Sequence, residues 1–322
     1  MGEQRTFASL AWTEKKKVTR RERFLAEMSA VIPWAELVAL IRTHYPTAGR
    51  GRTPMPLERM LRIYFLQQWF DLSDPAAEDA LYDSEAMRRF VGLELSDDAV
   101  PDETTILHFR HLLEHHQLTE QLFGAVRGLL EAKGLLVKSG TIVDATIITA
   151  PSSTKNATGT RDPEMRQVRK GKQWYFGMRV HVGTDPRGLV HALTVTDAAA
   201  GEVHEVPQLL HGAERALYGD RGYWNETDRR ACEAVGIRYR VNRRGHRHAP
   251  VSARWRAINR ARSRIRARGE HAFHVVKTLW GFTKVRYRGL AKNTVRVFAL
   301  FALANLYLVR YRLGADQATC LR

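Results

Sequence analysis

The spacing of apolar residues changes at Lys138 and divides the sequence into two parts. Before this position, segments such as PLERMLRIYFLQQWFDL repeat apolar residues at the intervals of an amphipathic helix. After it, SGTIVDATIIT at 139–149 is short and β-branched, which predicts a strand. Residues 174–185 and 188–197 alternate in polarity around the turn sequence DPRG, which predicts a hairpin. The chain is therefore predicted to be neither all-helical nor all-β.

The order of predicted elements in the second part indicates an α/β fold with a mixed central sheet. The first strand and the hairpin are followed by a helix at 204–213 and by a strand at 216–224 that ends in a turn. Another helix and a strand at 237–242 come next. Long helices are then predicted at 254–280 and 292–312.

These patterns predict three regions along the chain. A basic arm at 1–21 precedes an all-α N-terminal domain at 22–130, whose first two helices are divided at Pro33. The α/β domain occupies 131–322. Within it, the polar and unpatterned stretch 152–172 is predicted to be a mobile loop.

The positive charge of the chain is concentrated in its second part. The net charge is +17, yet residues 1–125 carry 15 basic against 19 acidic side chains. Residues 229–296 carry 20 basic side chains and only two acids. A solvated basic tail is disfavoured because apolar residues such as Trp255 and Phe273 are interleaved at helical spacing. A patch for anionic lipid is the other alternative, but this block most simply predicts binding to nucleic acid phosphates.

Cysteine content and hydropathy indicate a soluble protein of a reducing compartment. Cys232 and Cys320 are the only cysteines, which excludes a disulfide scaffold and a cysteine zinc cluster. The longest apolar stretch, 297–309, is shorter than the roughly 20 residues that a membrane span needs. We therefore expect a buried helix there, no membrane association and a cytoplasmic location.

Asp144 stands in the middle of the apolar strand sequence TIVDATII. Burying a carboxylate costs several kcal/mol unless a metal ion or a counter-charge compensates it. Metal coordination is one explanation, and a structural salt bridge to an arginine is the other.

Asp220 lies in the sequence YGDRGY, directly after a predicted strand. This position places a carboxylate at the edge of a sheet, where loops build functional sites. An ordinary turn aspartate would fit the same sequence. Asp197, Glu202 and Glu205 also lie near a strand end, and no role is assigned to them.

Glu270 is an isolated acid among basic residues on the predicted helix at 254–280. A helix that balanced its charge for stability would carry several acids at four-residue spacing. At about 100° per residue, Arg266, His274 and Lys277 fall on the same helix face as Glu270. That face would present a carboxylate and three basic groups to a phosphodiester. The alternative is a lone glutamate that pairs with its basic neighbours.

Together these residues resemble the DDE transposases of bacterial insertion sequences, in particular the IS5 family within the IS4-like group. The resemblance rests on Asp144 in a strand, on Asp220 in YGDRGY, and on the spacing of Arg266, Glu270 and Lys277. It covers most of the chain, including the helical stretch and the ending GFTKVRYRGLAKNTVRVFALFALANLYL. One position departs from the family pattern. Ser263 stands where the family has a tyrosine that contacts DNA near the cleavage site.

The resemblance implies an RNase H-like catalytic domain preceded by the all-α domain, which would bind DNA ends or form dimers. Asp144, Asp220 and Glu270 would be the catalytic residues and would hold two Mg²⁺ ions, with Mn²⁺ as a substitute. The partners would be double-stranded DNA, as terminal inverted repeats and target, and further copies of the chain in a homodimer or larger synaptic assembly. The expected location is the bacterial nucleoid. The predicted DNA-binding residues are Arg266, Lys277, His274, Arg262, Arg221, Tyr223, Lys284, Arg286 and Arg288.

Two other functions fit the same sequence. One is an inactive or domesticated transposase that acts as a DNA-binding regulator, although the three acids and their basic partners are all present. The other is an RNase H-like nuclease that cuts DNA without joining it to a target.

Overall fold

The computed structural model describes residues 15–47, 49, 53–157, 159–243, 245 and 250–320. Most of the predicted basic arm at 1–21 lies outside this range, while Arg20 and Arg21 already belong to the first helix. The helices of the first part are α1 (Arg20–Val31), α2 (Trp34–Arg42), α3 (Leu57–Phe70), α4 (Asp74–Asp83), α5 (Glu85–Val91), α6 (Glu103–His115) and α7 (Leu118–Ala132).

Capping side chains set the helix starts that the sequence predicts. Thr19 and Glu22 form a capping box at α1, and Asp102 accepts a hydrogen bond from the backbone of Thr105 at α6. Pro33 separates α1 from α2 as predicted. Ser84 divides the predicted second amphipathic helix into α4 and α5, a break that its apolar spacing did not indicate.

The second part forms a six-stranded mixed sheet. Its central strand β1 (Thr141–Thr149) is antiparallel to β3 (Gln173–Thr184), which in turn pairs with β2 (Arg166–Lys170) and β4 (Val190–Asp197). On its other side β1 is parallel to β5 (Ala216–Tyr218), and β5 is parallel to β6 (Arg238–Tyr239). The predicted hairpin is thus β3–β4. The predicted mobile loop at 152–172 is partly wrong, since its end forms β2.

Two predicted elements differ in detail, and a third agrees. Residues Glu202–Leu209 form a 3₁₀ helix rather than an α-helix, with Pro207 inside it. Strand β6 is shorter than the segment predicted at 237–242. Helix α8 (Glu226–Ala234) confirms the helix expected between β5 and β6.

The predicted helix at 254–280 is helical throughout but not uniformly α-helical. It consists of α9 (Ala253–Arg266), a 3₁₀ turn at Ala267–Gly269, α10 (Glu270–His274) and a π-helical turn at Val275–Leu279. At the 3₁₀ turn the backbone lies against the sheet. A Cβ on Gly269 would approach Ile142 and Thr184 to 3.1 Å, so glycine permits this contact.

The last helix, α11 (Leu290–Cys320), joins the two parts of the molecule. It packs against α7, α1 and β4, and the buried residues of the first part form one cluster with part of the sheet, including Ile148 and Val182. Val143, Leu217 and Tyr239 of the sheet belong to a second cluster. Asn305 is fully buried and bonds both the N–H and the carbonyl of Val190, at 2.8 and 2.7 Å. Residues Leu290–Gly314 are long and apolar enough to span a membrane, but 67% of that window is buried inside the fold. This agrees with the buried helix that the sequence predicts.

Candidate active site

Strand β1 holds Asp144 in the centre of the sheet, opposite Val182 of β3. Its neighbours Ile142 and Val143 are fully buried, while the Asp144 side chain keeps 17% exposure. One carboxylate oxygen accepts a hydrogen bond from the Ala145 N–H at 2.9 Å. The alternation of the strand therefore places Asp144 on the face opposite to that of Val143.

Asp220 follows β5, the parallel neighbour of β1. Its Oδ1 accepts the Gly222 N–H at 2.7 Å and caps a short 3₁₀ turn at Arg221–Tyr223. The chain passes close to β1 here. A Cβ on Gly219 would meet Tyr223 Cβ at 3.1 Å and Val143 Cγ2 at 3.2 Å, so glycine allows the approach that brings Asp220 towards Asp144.

Arg266 connects the helix that carries Glu270 to the sheet. Its guanidinium lies 3.1 Å from Asp144 Oδ2 and 2.9 Å from Glu270 Oε1. The Glu270 side chain is 54% exposed, so it lies at the open side of the site. The sequence left open a salt bridge from Asp144 to an arginine and a pairing of Glu270 with its basic neighbours. Both ion pairs are present, and both are made by Arg266.

The three acids lie close enough to influence one another. Burial raises the pKa of Asp144 from 3.8 to about 6, while Arg266 and the Ala145 N–H oppose this rise. The negative charges of Asp220 and Glu270 add to it. Asp144, Asp220 and Glu270 therefore form one electrostatic cluster.

A fourth acid, Glu202, borders this cluster. Its Oε1 lies 3.2 Å from Arg179, and burial together with Asp220 raises its pKa. The Tyr223 ring is buried beside these acids, and its hydroxyl has no hydrogen-bond partner among the described residues. Burial raises the pKa of Tyr223, and Glu202, Asp144 and Asp220 add to the rise. The only sequence signal for Glu202 was its place near a strand end.

Two family models match this chain. A transposase domain of the DUF772 type matches residues 13–112, and the transposase DDE domain matches residues 136–306. The second match covers more than half of the chain and contains the three acids. The chain belongs to the DDE transposase family.

A crystal structure of the Mos1 strand transfer complex is similar over 84% of this chain and 79% of that chain, with 11% identity and a TM-score of 0.28. A similarity this low carries no argument of its own. The DDE domain match and the mixed sheet flanked by helices confirm the predicted RNase H-like α/β class with its helical N-terminal region.

Lys277 of the DDE domain contacts the sheet rather than Glu270. Its ammonium donates to Thr146 Oγ1 at 3.0 Å and to the Ile147 carbonyl at 3.2 Å. Burial and the nearby Lys170 lower its pKa. His274 is exposed beside it. The predicted helix face is thus only partly reproduced, because the turns around α10 depart from α-helical spacing.

Several of the predicted DNA-binding residues already have partners within the protein. Arg262 donates to the Val241 carbonyl at 2.7 Å, and Arg286 lies 2.7 Å from Asp71. Arg288 donates to Thr160 Oγ1 at 3.0 Å. Arg221 and Lys284 are exposed.

Tyr223 was predicted to contact DNA, and Ser263 stands where the family that the sequence resembles has a tyrosine. Tyr223 is only 1% exposed, so its burial does not fit the predicted contact with DNA. Ser263 faces the loop after β6, where the Asn242 amide donates to its hydroxyl at 2.9 Å. The Ser263 hydroxyl therefore bonds to another residue of the same protein.

The donor set of the DDE domain fits a hard divalent cation. Three carboxylates supply only oxygen ligands, which Mg²⁺ and Mn²⁺ prefer. In the described part of the chain, no three acidic, histidine or cysteine side chains are already arranged around a single ion position. Arg266 instead supplies positive charge between Asp144 and Glu270.

Proposed function

We propose that this chain is an IS5-family insertion-sequence transposase that cleaves the ends of its element and joins the 3′-OH to target DNA. The observation that supports the proposal is that Arg266 pairs with both Asp144 and Glu270, while the charge of Asp220 acts on Asp144 from the end of the neighbouring strand. Carboxylates on two adjacent parallel strands and on a helix packed beside them suit phosphoryl transfer by positioning and charge stabilisation.

Asp144, Asp220 and Glu270 would hold two Mg²⁺ ions, for which Mn²⁺ would substitute. When bound, the ions would supply activation of the attacking oxygen and stabilisation of the leaving oxygen. The raised pKa of Asp144 supports this role, since a carboxylate that is costly to ionise gains free energy from a nearby cation.

Arg266 would change partners when DNA and metal bind. In the present arrangement it neutralises Asp144 and Glu270. A divalent ion would take over that neutralisation and leave the guanidinium for a bidentate contact with a DNA phosphate. Lys277 would remain bonded to β1 and contribute its charge from beside the site.

The DNA duplex would lie across the basic surface of the second part. Arg221 and Lys284 are exposed there, and His274 is exposed on the helix of Glu270. These side chains would bind the phosphates of inverted repeats and target, which makes the affinity dependent on salt. The predicted homodimer or larger assembly and the nucleoid location belong to the same proposal. The division into an arm at 1–21, a helical domain at 22–130 and a catalytic domain at 131–322 also stays a prediction.

The test is nicking of a plasmid that carries the element ends, with Mg²⁺ or Mn²⁺. Wild-type protein should nick it, and Glu270→Gln should lose activity while keeping its circular dichroism spectrum. Glu233→Gln is the matched control, because its side chain is 50% exposed on α8, compared with 54% for Glu270. Nicking that survives Glu270→Gln would refute the assignment.

A second assay separates the two other functions. Labelled 3′ ends should be recovered joined to target DNA if the chain is a transposase. Cleavage without joined product would indicate a nuclease of the same fold. Metal-independent DNA binding without cleavage would indicate a regulator.

A further inference from the structure

The tip of the β2–β3 hairpin is basic and carries an exposed tryptophan. Residues 166–174 (RQVRKGKQW) contain four basic side chains and no acid. Trp174 is 59% exposed, whereas the other tryptophans in the described part of the chain are more buried. Burial of this exposed indole ring against a partner would be favourable, because it would remove a large aromatic surface from water.

Trp174 stands directly opposite Arg169 in the strand register, so both side chains share one face of the hairpin. The same region borders a groove of about 360 Å³. Trp174, Phe176 and Arg161 line it, and none of its lining residues is acidic. The Arg161 guanidinium lies 5.6 Å from the Phe176 ring centre. The groove thus combines aromatic surface with positive charge, which is the combination that single-stranded nucleic acid binds.

The hairpin tip and its groove lie further along the strands β1 and β3 that also lead to Asp144, since Trp174 is eight residues along β3 from Val182, the partner of Asp144. The groove includes Thr149, five residues beyond Asp144 on β1, which corresponds to about 17 Å along the strand. At the tip, Lys170 is close enough to lower the pKa of Lys277, after the larger effect of burial. A DNA strand of several nucleotides would therefore be needed to extend from the carboxylates to the hairpin.

Protection of a sheet edge explains only part of this composition. Strand β2 pairs with β3 alone, and charged residues on such an edge prevent pairing with other chains. That function needs the lysines and arginines of the tip. It does not need an exposed indole at Trp174.

We propose that the hairpin tip binds the DNA strand leading into the active site, with Trp174 stacked on an unpaired base and Lys172 close to its phosphates. This inference rests on the proposed function, because DNA is the substrate of that same site. Trp174 would be a binding residue, and stacking would hold the strand several nucleotides away from its end at the carboxylates.

The test measures binding of a short fluorescent oligodeoxythymidylate by anisotropy, in EDTA so that no cleavage occurs. Trp174→Ala should weaken binding about tenfold, because stacking of a base is worth about 1–3 kcal/mol. Trp174→Phe should retain affinity to within about threefold, since phenylalanine keeps a stacking surface. Lys172→Gln should reduce the slope of affinity against salt by about 0.7, the loss of one phosphate contact.

Tyr82→Ala is the matched control, because Tyr82 is 53% exposed but lies on α4. It should leave oligonucleotide affinity unchanged. Wild-type affinity in Trp174→Ala would overturn the proposal. The proposal would also be overturned if Trp174→Ala changed the molecular mass measured by light scattering but left the oligonucleotide affinity unchanged. The hairpin would then bind another copy of the chain.

The test of Trp174 and the test of the proposed function can fail independently of each other. Loss of plasmid nicking in Glu270→Gln tests the catalytic assignment and needs metal. Oligonucleotide binding in EDTA tests Trp174 alone. A protein that binds through Trp174 but never nicks DNA would refute the transposase activity and leave this inference standing.

Discussion

Replacing Asp144 by asparagine should stabilise the metal-free protein at alkaline pH. Burial raises the pKa of Asp144 from 3.8 to about 6, so the folded state pays to ionise this group. The difference of about two pKa units corresponds to about 3 kcal/mol. Asparagine keeps the shape of the side chain and removes the charge. We therefore expect Asp144→Asn to raise the free energy of unfolding by about 3 kcal/mol at pH 8.

The effect has a defined pH window. The pKa of Asp144 is higher in the folded protein than in the unfolded protein. The contribution of this group to the stability of the wild type is therefore fully present below about pH 4 and is lost as pH rises through about 6. At about pH 4 the carboxyl group is mostly protonated in the folded protein. The gain from Asp144→Asn should therefore nearly vanish there.

Urea unfolding in EDTA at both pH values measures this difference. Asp97→Asn, an exposed aspartate in the first part, serves as the control and should show no such gain. The reasoning would be refuted if Asp144→Asn destabilised the protein at pH 8, or if it gave the same gain at both pH values. The variant should be inactive in the nicking assay, which would be a case of stability sacrificed for function.

Three further substitutions test other features of the structure. Tyr223→Phe removes a buried hydroxyl without a partner among the described residues, so urea unfolding in EDTA should show no loss of stability and a gain of up to about 1 kcal/mol. A clear loss of stability would show that the hydroxyl has a partner. Asp71→Asn should cost roughly 1–3 kcal/mol in the same assay, because Arg296 is 3% exposed and loses its charged partner, although Asp71 itself is 43% exposed. An unchanged midpoint would mean that this pair contributes nothing. Gly177→Ala places a Cβ 2.1 Å from a β1 carbonyl and should cost roughly 3 kcal/mol or more, whereas Gly128→Ala, which meets nothing within 4 Å, should be tolerated; equal midpoints would contradict the clash.

Periodicity was sufficient for most of the fold. The β-branched run of β1, the turn between β3 and β4, and the helices around Pro33 all follow from local chemistry. Strand β2 was missed because its sequence RQVRK is polar, and its only pairing is with β3. Such an edge strand is held by backbone hydrogen bonds rather than by burial of side chains. Its sequence therefore need not alternate apolar and polar residues, and the pattern does not predict it.

One contact of the candidate site was predictable from the sequence, whereas the identity of the catalytic residues stays a prediction. The isolation of Glu270 and its spacing from Arg266 correctly placed these two residues in contact. The contact of Lys277 with β1 could not be foreseen, since it depends on the 3₁₀ and π-helical turns around α10. The place of Glu202 beside Asp220 likewise depends on how two loops meet.

The contact between α11 and the β3–β4 hairpin has a consequence for folding kinetics. Asn305 completes the hydrogen bonding of Val190 across 115 residues of sequence, and it does so in a buried environment. Contacts of such long range make folding slow, because the intervening chain must be ordered before they form. We expect a refolding intermediate in which the helices of the first part are formed and β4 still exchanges its amide hydrogens. Pulse-labelling hydrogen exchange would detect it as late protection of Val190.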